Sequence, residues 1–146
     1  VKYNVQLEVI GQIYRLPEKV QKQIKKSKQE LSKNTGLTLV LALNYGARSE
    51  IAEATRNIAH KVESGELVPE DIDETLIGMH LYTSQIPDPD LLIRTSGEMR
   101  LSNFLLWQVS YTEMVVTQVL WPEFRKPAFF DAIEEYAKRH RRFGKI

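Results

Sequence analysis

The sequence contains no cysteine, which excludes disulfide bonds and thiolate metal sites and permits a reducing compartment. No apolar run approaches the ~18–20 residues needed to cross a bilayer, and the chain does not open with a secretory signal pattern. Charge of one sign is not in excess: 20 basic against 19 acidic residues give a net charge of +1. That balance excludes a strongly basic nucleic-acid-binding domain by composition and leaves only local patches. Internal repeats, low-complexity tracts and linkers are all missing. So is an initiator methionine: "VKYNVQLEVIG" begins directly in strand-like alternation, and the expectation is that the natural start lies upstream.

What remains is an ordinary amount of material for one domain: 146 residues, 42% of them apolar. "YNVQLEVIG" alternates with Val5, Leu7 and Val9 on one side and reads as a strand ending at Gly11. "LPEKVQKQIKKSKQELSKNTG" reads as a Lys-rich exposed helix with Pro17 near its start and Val20, Ile24, Ser27 and Leu31 on one face. "LTLVLALNYG" is nearly all apolar, the pattern of a strand covered on both faces. Ile51, Ala54, Ile58, Ala59 and Val62 mark an amphipathic helix that stops near Gly65. "PEDIDETLIGMHLY" reads as a further helix with Ile72, Leu76 and Met79 inward.

"IPDPD" is a stiff turn leading into the short strand "LLIRT". A helix is expected over the apolar "NFLLWQVSY", then a strand in "TEMVVTQVLW". The last helix lies in "KPAFFDAIEEYAKRHRRFG", with Phe129, Ile133, Tyr136 and Ala137 on one face. The order is strand, helix, strand, helix, helix, strand, helix, strand, helix. It implies a single α/β domain with a mainly parallel central sheet flanked by helices.

The stretch "LLIRTSGEMRLSNFLLWQ" (Leu91 to Gln108) carries the chemistry. In an open α/β sheet, ligands collect outside the carboxyl ends of the strands, and Arg94 lies at such an end. Gly97 lets the backbone bend, Arg100 follows, and Ser102 precedes the expected helix. A helix N-terminus offers unpaired N–H groups and about half a positive charge. With two arginines beside it, such a place suits a diphosphate, because guanidinium groups bind phosphate oxygens in parallel pairs. The same spacing also fits a plainer arrangement: Ser102 as a helix cap, with Arg94 paired to Glu98 or Glu113. Composition and spacing do not choose between the two.

A longer pattern does. "NTGLTLVLALNYGARSEI", "PDPDLLIRTSGEMRLSNFLLWQVSYTEMVV", "LWPEF" and "RRFG" follow one another from Asn34 to Gly144. Together they closely resemble the cis-prenyltransferase family, above all the bacterial undecaprenyl diphosphate synthases. The resemblance implies that Arg94, Arg100 and Ser102 bind the diphosphate of isopentenyl diphosphate. It implies that Glu113 is a ligand of Mg2+, and that Arg142 and Gly144 of the C-terminal Arg-x-Gly element reach the partner's diphosphate site across a homodimer. The implied reaction is head-to-tail condensation of isopentenyl diphosphate with an allylic diphosphate, farnesyl diphosphate or longer. Its product is a polyprenyl diphosphate such as undecaprenyl diphosphate, used as a cell-wall lipid carrier. The implied setting is cytoplasmic, with peripheral membrane contact through the lipid product and no nucleic-acid partner.

The pattern is incomplete. The family's D-G-N-G-R-W segment, whose aspartate supports magnesium binding and ionisation of the allylic diphosphate, occurs nowhere in the sequence. The chain is therefore expected to be the C-terminal portion of a catalytic domain, with the isopentenyl diphosphate half-site, no catalytic residue of its own and no activity alone. A non-catalytic subunit of a heteromeric cis-prenyltransferase is the alternative, and the intact "RTSGEMRLSN" argues against it. Met99 stands where bacterial members often have histidine and cannot ligate a hard cation, so Glu113 would lean on phosphate oxygens. Ala47 replaces a usual glycine. One geometric condition follows. An unbroken helix from Ser102 to Glu113 would hold the two about 16 Å apart, so the chain must turn near Tyr111 and Glu113 must begin the next strand.

The other chemistry-bearing residues read as structure. His60, His80 and His140 lie far apart on separate helices. Trp107 and Trp121 are expected as core anchors. Leu39, Leu41, Leu43, Ile93 and Leu105 could line either the core or an apolar tunnel, and core is the preferred reading.

Overall fold

The computed structural model describes residues 3–139. Eight principal elements follow in order: β1 (Gln6–Ile10), α1 (Glu18–Leu31), β2 (Thr38–Ala42), α2 (Ala47–Glu63), α3 (Glu74–His80), β3 (Leu91–Arg94), β4 (Glu113–Val116) and α4 (Lys126–Ala137). The chain gathers into two compact units, one up to Ile86 and the other from Pro87 onwards. Each holds a two-stranded parallel sheet with helices packed against it, so the fold is α/β.

In the first unit β1 and β2 pair in parallel, from Gln6 opposite Thr38 to Ile10 opposite Ala42. The pair closes tightly at its carboxyl end. Gly11 has φ +110°, and a Cβ there would sit 2.1 Å from the Leu43 carbonyl oxygen, so only glycine fits. Asn34, just beyond α1, ties that connection back to β1 by donating from Nδ2 to the Val5 carbonyl at 2.6 Å.

Two expectations about facing are corrected here. β2 is covered on one face only: Val40 and Ala42 are half-buried, while Leu39 and Leu41 on the other face are 46% and 38% exposed. The core reading of those two leucines fails with it. An apolar run records the capacity to be buried, and a two-stranded sheet leaves one side of that capacity unused. On α1 the half-buried face runs through Gln21, Ile24, Ser27, Lys28 and Leu31, with Val20 exposed, and no residue of the helix is fully buried.

α2 starts earlier than expected, at Ala47, and buries Ala47, Glu50, Ala54 and Ile58. Ala59, expected inward, is exposed. Glu50 is the departure that matters, a carboxylate with 1% of its surface exposed. Tyr45 Oη donates to its Oε2 at 2.5 Å and the Tyr82 N–H donates to its Oε1 at 2.8 Å. Tyr82 Oη in turn donates to Glu53 Oε2 at 2.7 Å, and the Tyr45 and Tyr82 rings meet edge to face at 6.3 Å. Burial, and then the bond to Glu53, push the Tyr82 hydroxyl far above the ordinary tyrosine range. The network joins the loop after β2 to the segment after α3.

The helix expected from Pro69 onward is two pieces. A 3-10 turn, Pro69–Asp71, ends at the extended Ile72, and Asp73 then caps α3 by accepting the Leu76 N–H at 2.7 Å. Aspartates that satisfy free N–H groups start helices rather than continue them. Ile72 and Met79 are exposed, against expectation. His60 is exposed beside Glu63, His80 directs Nδ1 at the Leu76 carbonyl, and His140 lies outside the described residues.

In the second unit β3 and β4 pair in parallel, with Val115 the buried centre. α4 turns Ala128, Ala132 and Tyr136 inward, and Phe129 and Ile133 are exposed, which corrects the expected face. Trp121 is also no core anchor: it is 72% exposed and stacks on Phe124 at 6.2 Å.

Candidate functional site

The site is built where β3 ends. Arg94 closes that strand opposite Val116, and Thr117 donates its N–H to the Arg94 carbonyl at 2.9 Å. The guanidinium is half-buried, and its Nε is buried with no hydrogen-bond partner. A buried donor left unpaired costs about 1–3 kcal/mol, so this arginine is poised for an acceptor.

The next residues form a pinned turn. Ser96 and Gly97 both have positive φ, at 65° and 66°, and donate their N–H groups to the Val119 and Thr117 carbonyls at 3.0 and 2.9 Å. A Cβ on Gly97 would lie 2.5 Å from the Gln118 side-chain oxygen. Gly97→Ala is expected to lose about 1–2 kcal/mol, read as a lowered urea midpoint at unchanged slope, and to weaken diphosphate binding through the displaced turn.

Arg100 is exposed and its Nε donates to Glu98 Oε2 at 2.7 Å. That hydrogen bond, then the Arg100 charge, hold the Glu98 carboxyl below the ordinary carboxylate range, against slight desolvation, and the Arg94 charge lowers it further. Glu98 thus lies within electrostatic reach of both arginines. Of the plainer pairings weighed for Arg94, neither forms as an ion pair among the described residues: Glu98 takes Arg100, and Glu113 takes Arg139. Because the folded-state value is depressed, the Glu98–Arg100 attraction is fully present above the unfolded carboxylate pKa and is lost as pH falls through the folded one. A carbon-detected NMR titration of Glu98 should show a midpoint below the model-peptide value of about 4.3, returning towards it in Arg100→Ala. An unchanged midpoint in that variant would remove the pair from the account.

The expected helix after Ser102 does not form. Residues 102–111 are a run of turns, with Ser102, Asn103 and Leu105 at φ 51°, 62° and 47°. Ser and Asn hydrogen-bond locally in non-helical conformations, and the run ends in Val109, Ser110, Tyr111 and Thr112, all weak helix formers. The helix N-terminus proposed as an anion site is therefore absent, and with it the dipole contribution. Ser102 remains an exposed hydroxyl two residues from Arg100.

The chain does turn back as the spacing required, and Glu113 begins β4. Its position is less convenient. Register places Glu113 opposite Leu91 and Arg94 opposite Val116; three residues at about 3.3 Å each put the two levels ~10 Å apart along the sheet. Glu113 Oε2 instead accepts from Arg139 Nη1 at 3.1 Å, and Arg139 also donates to the Met114 carbonyl at 2.8 Å and to Glu135. Arg139 was not singled out by sequence, although Glu135–Arg139 is a legible i,i+4 pair. Magnesium needs a near-octahedral set of oxygens. Among the described residues no group of three ligating side chains exists, and Glu113 is already ion-paired. The described residues do not build a magnesium site. Arg142 and Gly144 lie outside them.

Comparison with known proteins decides the family. A model described as "Putative undecaprenyl diphosphate synthase" matches residues 1–144. This chain belongs to the cis-prenyltransferase family. It is 54% identical over 146 residues to an isoprenyl transferase of Geobacillus kaustophilus, covering all of this chain and 57% of that protein. It is 49% identical over 144 residues to the farnesyl-diphosphate-specific ditrans,polycis-undecaprenyl-diphosphate synthase of Micrococcus luteus, covering 99% of this chain and 58% of that one. Among solved structures it is similar to lavandulyl diphosphate synthase from Lavandula x intermedia, determined with dimethylallyl diphosphate. That match has a TM-score of 0.94 and 45% identity, and covers 97% of this chain and 61% of the other. The chain thus spans less than two thirds of the length of these cis-prenyltransferases, and it covers the part that carries "IRTSGEMRLSN".

Proposed function

We propose that this chain carries the isopentenyl diphosphate half-site of a cis-prenyltransferase domain that makes a polyprenyl diphosphate such as undecaprenyl diphosphate. Arg94 and Arg100 grip the diphosphate, and Ser102 adds a hydroxyl. The observation that carries the reading is the buried, unpaired Nε of Arg94 at the carboxyl end of a parallel strand, within electrostatic reach of the carboxylate that holds Arg100. A structural arginine would be expected to have found its acceptor; this one keeps a donor open.

In the reaction, the double bond of isopentenyl diphosphate attacks the allylic carbon, the allylic diphosphate departs, and a proton is lost from the former isopentenyl unit. The task of the residues in this chain is to hold the nucleophile by its diphosphate, so that a bimolecular step becomes a positioned one. Glu113 is proposed as a contributor to metal binding only when phosphate oxygens and further carboxylates complete the set. Arg142 and Gly144 are proposed to reach the partner's site in a homodimer. Without the D-G-N-G-R-W segment, the chain binds isopentenyl diphosphate and does not elongate farnesyl diphosphate.

Calorimetric titration tests this. Isopentenyl diphosphate should bind with one-to-one stoichiometry, a short oligonucleotide should not bind, and Arg100→Ala should weaken the diphosphate. Equal binding of isopentenol, which lacks the diphosphate, would refute the assignment, and clear elongation of farnesyl diphosphate by the chain alone would refute the half-site reading.

A further inference from the structure

The first unit contains a cavity of about 640 Å³ between β1 and α1, with no part in the site at Arg94. Its size lies within the ~300–1,000 Å³ of ordinary small-molecule sites. Val9, Ile13 and Ile24 supply apolar lining, and Lys22, Lys25 and Lys28 supply cations. α1 turns Gln21, Ile24, Lys25 and Lys28 towards this space at helical spacing. A helix that packed only against its strand would place apolar residues at those positions. Here one of the four is apolar, and no residue of the helix is buried.

The charges do not cancel. Lys22 pairs with Glu18 at 2.8 Å, and Lys28 pairs with Glu8 at 2.5 Å. Lys25 has no carboxylate within ion-pair distance among the described residues, and it is exposed. The cavity therefore joins an apolar lining to one uncompensated positive charge on its open side. Lysine is suited to this, since its stem lies along apolar surface while its ammonium stays in water.

We infer that the β1–α1 cavity binds a single-chain amphiphile with an anionic head, its chain against Val9, Ile13 and Ile24 and its head on Lys25. Polarity of the lining favours this occupant over a wholly apolar one, which would leave the lysine row desolvated. It also favours it over inorganic phosphate, which would find one free cation and no buried donor.

The test uses the full chain and dodecyl phosphate below its micellar concentration, followed by amide NMR. Saturable one-to-one shifts at residues 9, 13, 24 and 25 are expected. Lys25→Glu should weaken binding about fivefold or more, as loss of one ion pair with added repulsion requires. Ile24→Gln should weaken it as well, and a melting curve should show both variants folded, because neither residue is buried. Inorganic phosphate should not compete, and neutral dodecyl maltoside should bind more weakly. Shifts that centre on Arg94 and Arg100, binding unaltered by Lys25→Glu, or uptake seen only with anionic vesicles would each overturn the inference. Loss of isopentenyl diphosphate binding in Arg94→Ala would leave this result untouched, so the two sites are tested separately.

Discussion

Replacing Glu50 by alanine is expected to destabilise the first unit by about 3–5 kcal/mol, enough to unfold a marginal domain. Two losses combine. The Tyr82 N–H and the Tyr45 hydroxyl, which now donate to the carboxylate, would be left buried without it, at about 1–3 kcal/mol each. A void would also open beneath α2 beside Ala47 and Ala54, which are fully buried. Glu50→Gln should cost less, since its amide oxygen still accepts one of the two bonds. Urea melts followed by far-UV circular dichroism separate the variants. If the alanine variant melts within 1 kcal/mol of the parent, Glu50 is not the brace described above.

Arg94→Ala is expected to lower the affinity for isopentenyl diphosphate by at least about a hundredfold. Charge-assisted hydrogen bonds are worth about 1.5–3 kcal/mol each, and a guanidinium can make two to one phosphate group. Arg94→Lys should recover only part of this, because an ammonium keeps the charge and loses the fork. Stability should move the other way or not at all. The variant removes a buried donor that has no partner, so its urea midpoint should equal or exceed that of the parent. That opposition is informative: a purely structural arginine would lower stability and leave binding alone. Calorimetry with isopentenyl diphosphate, run beside the melts, reads both.

Much of the architecture was legible because it rests on local periodicity. The alternation of β1, the lysine-rich α1 and the β-branched β4 each declared its type. So did the strand-end position of Arg94, since a cation closing an apolar strand is visible in one dimension. What failed was facing and partnership. The run from Asn103 to Tyr111 has helical spacing of apolar residues, but local hydrogen bonding by Ser102 and Asn103 and a tail of weak helix formers prevail. Leu39 and Leu41 look like core in any window of sequence, and only the pairing of β2 with a single neighbour shows which face is covered. Glu50 was missed because an acidic residue on a helix reads as solvated; its two tyrosine partners lie 5 and 32 residues away. Of the site, the arginines were legible and their counter-charges were not. The choice of Arg100 for Glu98, and of Glu113 for Arg139, depends on where turns bring side chains.

The embrace of Arg100 by Glu98 gives the chain a means of choosing among guests. A monoanion arriving there offers Arg100 nothing beyond the carboxylate it already holds, and must in addition face the repulsion of the evicted glutamate. A guest bearing two or three charges on linked phosphates can satisfy Arg94 and Arg100 together and outbid the resident. Selectivity for diphosphate over monophosphate esters would then come from a competitor carried by the protein itself, two residues from the cation it guards.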